Sequence, residues 1–400
     1  MFRHTRALAV LAAAGLLTLT AACGSGSGGG SNGPGGAQLP NIPKLASLGT
    51  GEGTVNIVSW AGYVEDGSDD PNVNWVTPFE QQTGCKVNNK VAGTSDEMLT
   101  LMSSGDYDVV SASGDASLRM IYGGIVAPVN TDLVANYKDI YSDLKLQPWN
   151  SVNGVAYGIP HGRGANLLMW RTDKVTPAPT SWGVVFDGAS SYAGHVTAYD
   201  SPIYIADAAL YLMKHQPNLG ITNPYSLDQA QFDASVNLLK AQNKNIGEYW
   251  SDYTKEVEAF KSGDTVVGTT WQVIANLVEA DKAPVQAILP SEGATGWSDT
   301  WMVAAKAKHP NCAYMWMNWI VSPQVNAQVA EWFGEAPANS QACQYTSDKN
   351  FCTTYHSADA PYWKNVYYWT TPTTQCLDGR KNTQCVDYAK WTQAWTEIKG

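Results

Sequence analysis

The stretch VNIVSW at residues 55–60 begins the pattern that decides the fold. It predicts a buried strand, and the chain then alternates between amphipathic segments and further short apolar runs. Such alternation predicts parallel strands joined by crossover helices, which is an α/β fold. Ligands bind at the carboxyl ends of such strands, so Trp60 and Ser113, which each close a predicted strand, are candidates to contact one. The segments that follow are VTPFEQQTG (76–84, helix), CKVNNKVAG (85–93, strand), SDEMLTLMSSG (95–105, helix begun by a capping Ser95), YDVVSAS (107–113, strand) and a helix near 116–122.

The remainder of the body is richer in helical periodicity. A helix-rich region extends from about residue 199 to 283. Two helices are predicted at 309–322 and 323–334, and Pro323 begins the second. The last sixty residues are rich in Tyr, Trp, Thr and Cys and follow no clear period, so their secondary structure is not predicted.

Composition excludes several classes of protein. The 400 residues are 44% hydrophobic and only 15% charged, which excludes a disordered chain and suffices for two domains with substantial cores. The formal net charge of −11 makes nucleic acid a poor partner, because phosphate binding requires a basic surface. Sixteen Trp and twenty Tyr exceed the ordinary needs of a core, and they predict a surface or cleft that stacks on a ligand.

The N-terminus has the features of an export signal. Residues 1–6 (MFRHTR) are basic, an apolar run follows to residue 19, and small residues come next. We expect residues 1–22 to be a signal peptide. The sequence from Thr20 to Cys23 resembles a bacterial lipobox, which implies lipidation of Cys23, although Thr20 stands where lipoboxes usually have Leu; a plain secretory signal is the alternative. Residues 23–53 are then a lipid anchor followed by a flexible Gly- and Ser-rich linker.

Six further cysteines remain, and an even number in an exported protein favours disulfides. Two pairs lie close in sequence and would each close a short loop, which leaves Cys85 to join Cys312. Fifteen pairings are possible, so this connectivity is a hypothesis. The two short loops are Cys343 with Cys352 and Cys376 with Cys385.

The folded body carries no common catalytic signature. It has no G-x-S-x-G elbow, H-E-x-x-H pair or Walker loop. The six histidines are scattered, so neither a metal nor a cofactor is predicted. A secreted glycosidase stays open as an alternative, because folding can bring two distant carboxylates together.

Several segments, in the same order along the chain, resemble the spermidine/putrescine-binding proteins of ABC importers. The resemblance covers about residues 54–340. It implies a periplasmic-binding-protein fold, in which two α/β lobes of mixed sheet flanked by helices are joined by hinge crossovers and close on a ligand. The segments are VNIVSWAGYV, EQQTGCKV, DEMLTLMSSGDYDVVSAS, YGIPHGRGANLLMW, TSWGVVFD, GDTVVGTTW, GWSDTWMVAAKAKHP and FGEAPAN.

We expect the crossovers near residues 160–166 and 292–298. The first lobe would then contain residues 54–163 plus 297–370, and the second lobe would contain residues 164–296 plus 371–400.

The resemblance also implies a ligand site of aromatic rings and carboxylates between the lobes. A polyamine combines methylenes, which favour flat apolar walls, with ammonium groups, which need compensating charge once water leaves. The positions that match the family's motifs are Trp60, Tyr63, Trp271 and Trp297 for the rings, Asp200 and Asp299 for the carboxylates, and Ser113 and Ser251 for polar contacts.

Four positions depart from the family's pattern. Asp115 and Glu335 stand where the family has rings, a second-lobe Glu of the family falls on Ile203, and an aromatic position falls on Arg163. Beside a polycation, Arg163 would repel the ligand unless it paired with Asp115 or Glu335; unpaired, it would suit a ligand carboxylate. Asp115, Arg163 and Glu335 are therefore also candidate ligand contacts.

These features predict a lipid-anchored, monomeric solute-binding protein on the outer face of the bacterial cell membrane, and not an enzyme. It would bind a polyamine in the cleft and dock on an ABC permease. The alternatives are another cationic or zwitterionic small molecule, or a sugar, in the same fold, because aromatic rings also stack on sugars.

Overall fold

The computed structural model describes residue 33, residues 37–187 and residues 189–400. The signal peptide expected at residues 1–22 and the lipidation site expected at Cys23 lie outside these residues. Within the described part of the chain, no helix combines the length and apolar character needed to cross a membrane.

Strands and helices alternate along most of the chain. The strands are β1 Thr54–Ser59, β2 Lys86–Val91, β3 Val109–Ala112, β4 Ser151–Val152, β5 Val155–Ala156, β6 Ile159–Pro160, β7 Gly162–Ala165, β8 Leu167–Arg171, β9 Val196–Tyr199, β10 Ile246–Trp250, β11 Val267–Thr270, β12 Val285–Ile288, β13 Ala294–Trp297, β14 Thr300–Val303, β15 Ala336–Pro337 and β16 Val366–Tyr368. The helices are α1 Val76–Thr83, α2 Ser95–Ser103, α3 Gly114–Tyr122, α4 Ile205–His215, α5 Gln229–Asn243, α6 Tyr253–Ser262, α7 Gln272–Ala280, α8 Pro310–Ile320, α9 Pro323–Phe333, α10 Phe351–Thr354, α11 Ala360–Trp363 and α12 Tyr388–Lys399.

The strands and helices predicted from the opening stretch onward are confirmed, except that a different residue caps helix α2. Helix α1 ends at Gly84, whose φ of 72° is the left-handed conformation that favours glycine. Helix α2 is capped by Thr94 and not by Ser95: the Thr94 hydroxyl accepts from the Glu97 N–H at 3.1 Å. Ser95 is the first helical residue, and its hydroxyl donates to Asp115 at 2.9 Å instead.

Each lobe is built on one five-stranded sheet. The first lobe has the strand order β2-β1-β3-β14-β6, in which β1 pairs parallel with β2 and β3, and β14 runs antiparallel to β3. The second has the order β10-β9-β11-β8-β12, in which β9 pairs parallel with β10 and β11. The predicted α/β fold with two lobes of mixed sheet is confirmed. In each lobe, three parallel strands end at one edge.

A third sheet, with the order β15-β7-β13-β16, joins the lobes. Strands β7 and β13 lie where the crossovers are predicted, and they pair antiparallel, with Trp297 opposite Gly164. A Cβ added at Gly164 would lie 2.3 Å from the Trp297 ring, so glycine is required for the indole to lie flat on this strand. Strand β16 pairs parallel with β13, which places the unpatterned C-terminal region in the hinge.

The last part of the expected flexible linker lies against the first lobe. Ile42 and Leu45 pack on that lobe's core, and the Glu52 carboxylate accepts the backbone N–H groups of Asn311 and Cys312 at 3.0 and 2.9 Å. The expectation of a flexible tether through residue 53 is therefore wrong for this part, because its apolar side chains and Glu52 find partners that Gly and Ser lack.

The hypothesis for the three disulfides is confirmed. Cys85, just before β2, joins Cys312 in α8 over a separation of 227 residues, which ties the start of the body to its later helices within the first lobe. The other bridges are Cys343 with Cys352 and Cys376 with Cys385.

Candidate functional site

A cavity of about 460 Å³ opens between the two lobes. It lies at the carboxyl ends of the parallel strands, which is the usual ligand position in such sheets. The loops that follow β1, β2 and β3 line it from one side, and the loops that follow β9, β10 and β11 line it from the other. From the first lobe come Trp60, Ala61, Val91 to Thr94, Ser113 and Asp299; from the second, Tyr199, Ser251, Asp252, Tyr253 and Trp271; from the hinge region, Trp297, Phe333 and Trp369.

Asp299 provides a buried carboxylate in this lining, with only 3% of its surface exposed. One carboxylate oxygen accepts from the Ser113 hydroxyl at 2.5 Å and the other from the Tyr63 hydroxyl at 2.8 Å. Burial raises the pKa of Asp299 to about 6, against the lowering effect of these hydrogen bonds. Asp299 therefore presents mainly a negative charge at neutral pH.

A second buried carboxyl group, Glu335, lies behind Asp299. The Tyr63 hydroxyl is 3.0 Å from a Glu335 oxygen as well, but it carries one hydrogen and can donate to only one of the two carboxyl groups. The two contacts together therefore require a proton on one of the two carboxyl groups; a proton on Glu335 can be donated to Tyr63 while Tyr63 donates to Asp299. Burial, with the nearby charge of Asp299, raises the pKa of Glu335 well above its usual value and favours this neutral form.

His161 is consistent with a neutral Glu335. Its Nδ1 accepts from the Trp301 indole N–H at 3.0 Å, which places the imidazole hydrogen on Nε2, 3.4 Å from Glu335. Burial lowers the pKa of His161 to about 3, so the imidazole is uncharged. The charge of this buried group of side chains is thus carried by Asp299 alone.

Aromatic rings form most of the remaining wall. The centroid of Trp271 lies 6.1 Å from that of Trp297 and 5.8 Å from that of Tyr199, with interplanar angles of 68° and 48°. Tyr199 in turn stacks on Trp369 at 5.4 Å. Phe333 meets Trp297 edge to face. Most of these rings pack against one another at inclined angles, so the wall that they form is not a flat stack.

A chain of hydrogen bonds fixes the orientation of Trp271. Its indole N–H donates to Asn166 at 2.9 Å, the Asn166 amide donates to the Thr295 hydroxyl at 2.7 Å, and that hydroxyl donates to Asp207 at 2.8 Å. Burial raises the pKa of Asp207 to about 7. Because Thr295 belongs to β13, this chain ties the ring to the hinge.

The structure places the eleven predicted ligand contacts in three groups. Six of them line the cavity together: Trp60, Ser113, Ser251, Trp271, Trp297 and Asp299. Tyr63 and Glu335 are fully buried behind Asp299 and do not line it. The remaining three, Asp115, Arg163 and Asp200, also lie outside the lining.

Arg163 pairs with neither of the acids that the sequence suggested. Its Nη1 is 2.6 Å from an oxygen of Asp143, and its guanidinium lies 4.3 Å from the centroid of the Trp363 ring. Neither alternative that the sequence left open, a pair with Asp115 or Glu335 or an unpaired cation for a ligand carboxylate, is correct: the β7 strand directs the side chain away from the cleft and toward the C-terminal region. A cation that is already paired and 2% exposed neither repels a cationic ligand nor binds a ligand carboxylate.

The two remaining acids are also engaged elsewhere. Asp200 accepts from the Lys399 ammonium at 2.7 Å and from the Trp395 indole at 3.0 Å. Asp115 accepts from Ser95 at 2.9 Å and from the Tyr388 hydroxyl at 3.4 Å.

Sequence reasoning missed several lining residues. Tyr199 closes β9, so the rule that selected Trp60 and Ser113 also applies to it. Trp369 lies in the region without a period, and no sequence signal marked it. The other missed lining residues are Ala61, Val91, Ala92, Gly93, Thr94, Asp252, Tyr253 and Phe333.

The lining of the cavity combines many aromatic rings with few charged side chains. Among the described residues that line the cavity, seven are aromatic, two are acidic, and none is Lys, Arg or His. No group of three or more His, Cys, Asp or Glu side chains within the described ranges could hold a metal ion. Rings around a buried carboxylate form a suitable environment for an organic cation.

Comparison with known proteins agrees with this architecture and with the resemblance seen in the sequence. The spermidine/putrescine-binding periplasmic protein of Escherichia coli K12 is 25% identical over 312 residues, 76% of this chain and 84% of that protein. The solved spermidine/putrescine ABC transporter substrate-binding protein of Streptococcus pneumoniae is 19% identical with a TM-score of 0.65, covering 86% of this chain and 97% of its own. The PBP MotA from A. tumefaciens B6, solved with glucopine, is 16% identical with a TM-score of 0.65, covering 87% and 100%. The model of the family described as bacterial extracellular solute-binding protein matches residues 74–353, more than half of the chain. The chain belongs to the bacterial extracellular solute-binding proteins.

Proposed function

We propose that this protein captures a small organic ammonium ion in the cleft between its lobes and delivers it to an ABC permease in the membrane. This class of ligand includes spermidine and putrescine, for which curated relatives are named. The observation that carries the proposal is the buried Asp299 carboxylate within a lining of seven rings that lacks Lys, Arg and His.

The energies are sufficient for useful affinity. A cation over the face of a Trp or Tyr ring gains about 0.5–2 kcal/mol, and a hydrogen bond to a charged carboxylate adds about 1.5–3 kcal/mol. Several such contacts can reach about −8 kcal/mol after the cost of association, which corresponds to micromolar binding.

Capture implies that the lobes close around the ligand. The first-lobe loop at Val91 to Thr94 and the second-lobe loop at Ser251 to Tyr253 line the same cavity from opposite sides. A ligand that contacts both loops would stabilise a closed form by a hinge motion of the third sheet, and the permease would recognise this form. Lipidation at Cys23 and a monomeric state complete the proposal.

Calorimetric titration of the purified protein tests the charge preference. The panel is spermidine, putrescine and choline as cations, glucose as a neutral sugar, and glutamate as an anion. We expect at least one cation to bind with micromolar affinity and the other two classes to bind at least tenfold more weakly. Binding of only the sugar or the anion would contradict the proposal, and so would hydrolysis of a glycoside that is lost on replacement of one cleft carboxylate.

A further inference from the structure

We infer that the ligand carries a single cationic group in the cleft, and that this group is an alkylated ammonium, as in choline. The inference rests on the proposed function and narrows its class of ligand. It follows from the number of carboxylates available to the ligand and from the aromatic walls beside the buried carboxylate.

The first step counts charges. Asp299 is the buried, ionised carboxylate among the described residues of the lining. The neighbouring acids do not add to it, because Glu335 and Asp115 are buried outside the lining and Asp200 is paired with Lys399. One buried counter-charge can compensate one buried cation.

The second step concerns Asp252, the other acid of the lining. It is exposed on the rim, where one of its oxygens caps helix α6 by accepting from the Thr254 N–H at 3.0 Å and the Thr254 hydroxyl at 2.7 Å. An ion pair at such an exposed place contributes little, since water already solvates both charges. The second ammonium of a diamine would therefore lose water among the rings without a buried partner.

The third step concerns the substituents on nitrogen. A primary ammonium brings three N–H donors that need acceptors. Each oxygen of Asp299 already accepts one hydrogen bond, from Ser113 or Tyr63, which leaves one acceptor position on each oxygen for three N–H groups. Beside the carboxylate, the lining is mainly aromatic. A quaternary ammonium has no N–H group, and it gains from the faces of several rings at once. Tyr199, Trp271 and Trp297 all line the cavity and can provide such ring surfaces.

Titration of the unmodified protein provides the test. Choline is compared with tetramethylammonium, putrescine, spermidine and 3,3-dimethyl-1-butanol, the uncharged isostere of choline. We expect choline and tetramethylammonium to bind at least tenfold more tightly than either polyamine, and choline at least thirtyfold more tightly than its isostere. If a polyamine binds as tightly as choline, the inference is overturned while the proposed function stands; if no cation binds, both are overturned.

Two matched variants locate the single charge. Asp299→Asn is expected to weaken choline binding at least tenfold, whereas Asp252→Asn is expected to leave it within twofold. A tenfold loss for Asp252→Asn would show that the rim holds a second charge and would overturn the inference. Thermal unfolding of each variant verifies that it folds. If Asp299→Asn does not fold, the ligand panel on the unmodified protein still decides whether the inference holds.

Discussion

The two lobes present different chemistry to the same cleft. The first lobe supplies a carboxylate, Asp299, that Ser113 and Tyr63 hold in place before any ligand arrives. The second supplies ring faces, Tyr199 and Trp271, and its acid Asp252 stays exposed on the rim. The first lobe should therefore determine the charge of the ligand, and the second its shape and apolar contact. This division can be tested one side at a time.

Replacing the first-lobe carboxylate should have the largest effect on binding. Asp299→Asn keeps the acceptor for one neighbouring hydroxyl but removes the charge, and we expect the affinity for the tightest cation to fall about 100-fold, or ~3 kcal/mol. Asp200→Asn is the matched control, because Asp200 is paired with Lys399 outside the cavity. Calorimetry should show a change of less than about threefold for the control. Equal losses in the two variants would contradict the division between the lobes.

The same substitution, Asp299→Asn, should change how the free energy of unfolding depends on pH. Burial raises the pKa of Asp299 from 3.8 to about 6 in the folded protein, so the folded state favours the protonated carboxyl group. The stability that this preference contributes is fully present below about pH 4 and is lost as the pH rises through 6. Between pH 4 and pH 8, the free energy of unfolding of Asp299→Asn should therefore rise by ~3 kcal/mol relative to that of the unmodified protein. Urea unfolding at the two pH values measures this; a gap that does not change with pH would mean that Asp299 is not buried as an anion.

Replacing a second-lobe ring should have a smaller effect. Trp271→Leu removes one ring face and leaves an apolar side chain, so we expect about a tenfold loss of affinity. Trp332→Leu, which changes a 39% exposed ring outside the cavity, is the control. Calorimetry measures both affinities, because its signal does not depend on the tryptophan fluorescence that these substitutions change. An unchanged affinity in Trp271→Leu would show that this ring does not contact the ligand and would contradict its role in the second lobe.

The smallest effect on affinity is expected for replacement of Glu335, which lies behind Asp299. Because Glu335 is protonated, Glu335→Gln keeps a donor toward Tyr63 and should change the affinity for the cation by less than about threefold. A loss comparable to that of Asp299→Asn would show that Glu335 is ionised and contributes charge to the ligand site.

The sequence predicts the strand ends well and long-range pairings poorly. Trp60, Ser113 and Trp271 each follow a strand, and the fold brings such residues to one edge whatever the loops do. Trp369 enters the lining only because β16 pairs with β13, a register that the unpatterned C-terminal region does not reveal. Arg163 is similar: its partner Asp143 is found only once β7 fixes the direction of the side chain.

Protonation states depend on the fold in the same way. Asp299, Glu335 and Tyr63 are separated by up to 272 residues in sequence, and their shared hydrogen bonds decide which carboxyl group carries charge. The residue types alone suggested four cleft acids, Asp115, Asp200, Asp299 and Glu335, of which only Asp299 lines the cavity.

Carbon-13 NMR titration of the Asp299 carboxyl group tests the central claim most directly. In the free protein, its midpoint should lie near pH 6. Saturation with choline, or with putrescine if that binds more tightly, should move the midpoint below pH 5, because a cation beside the carboxylate stabilises its ionised form. A midpoint that stays at pH 6 or rises on saturation would contradict recognition of a cation by Asp299.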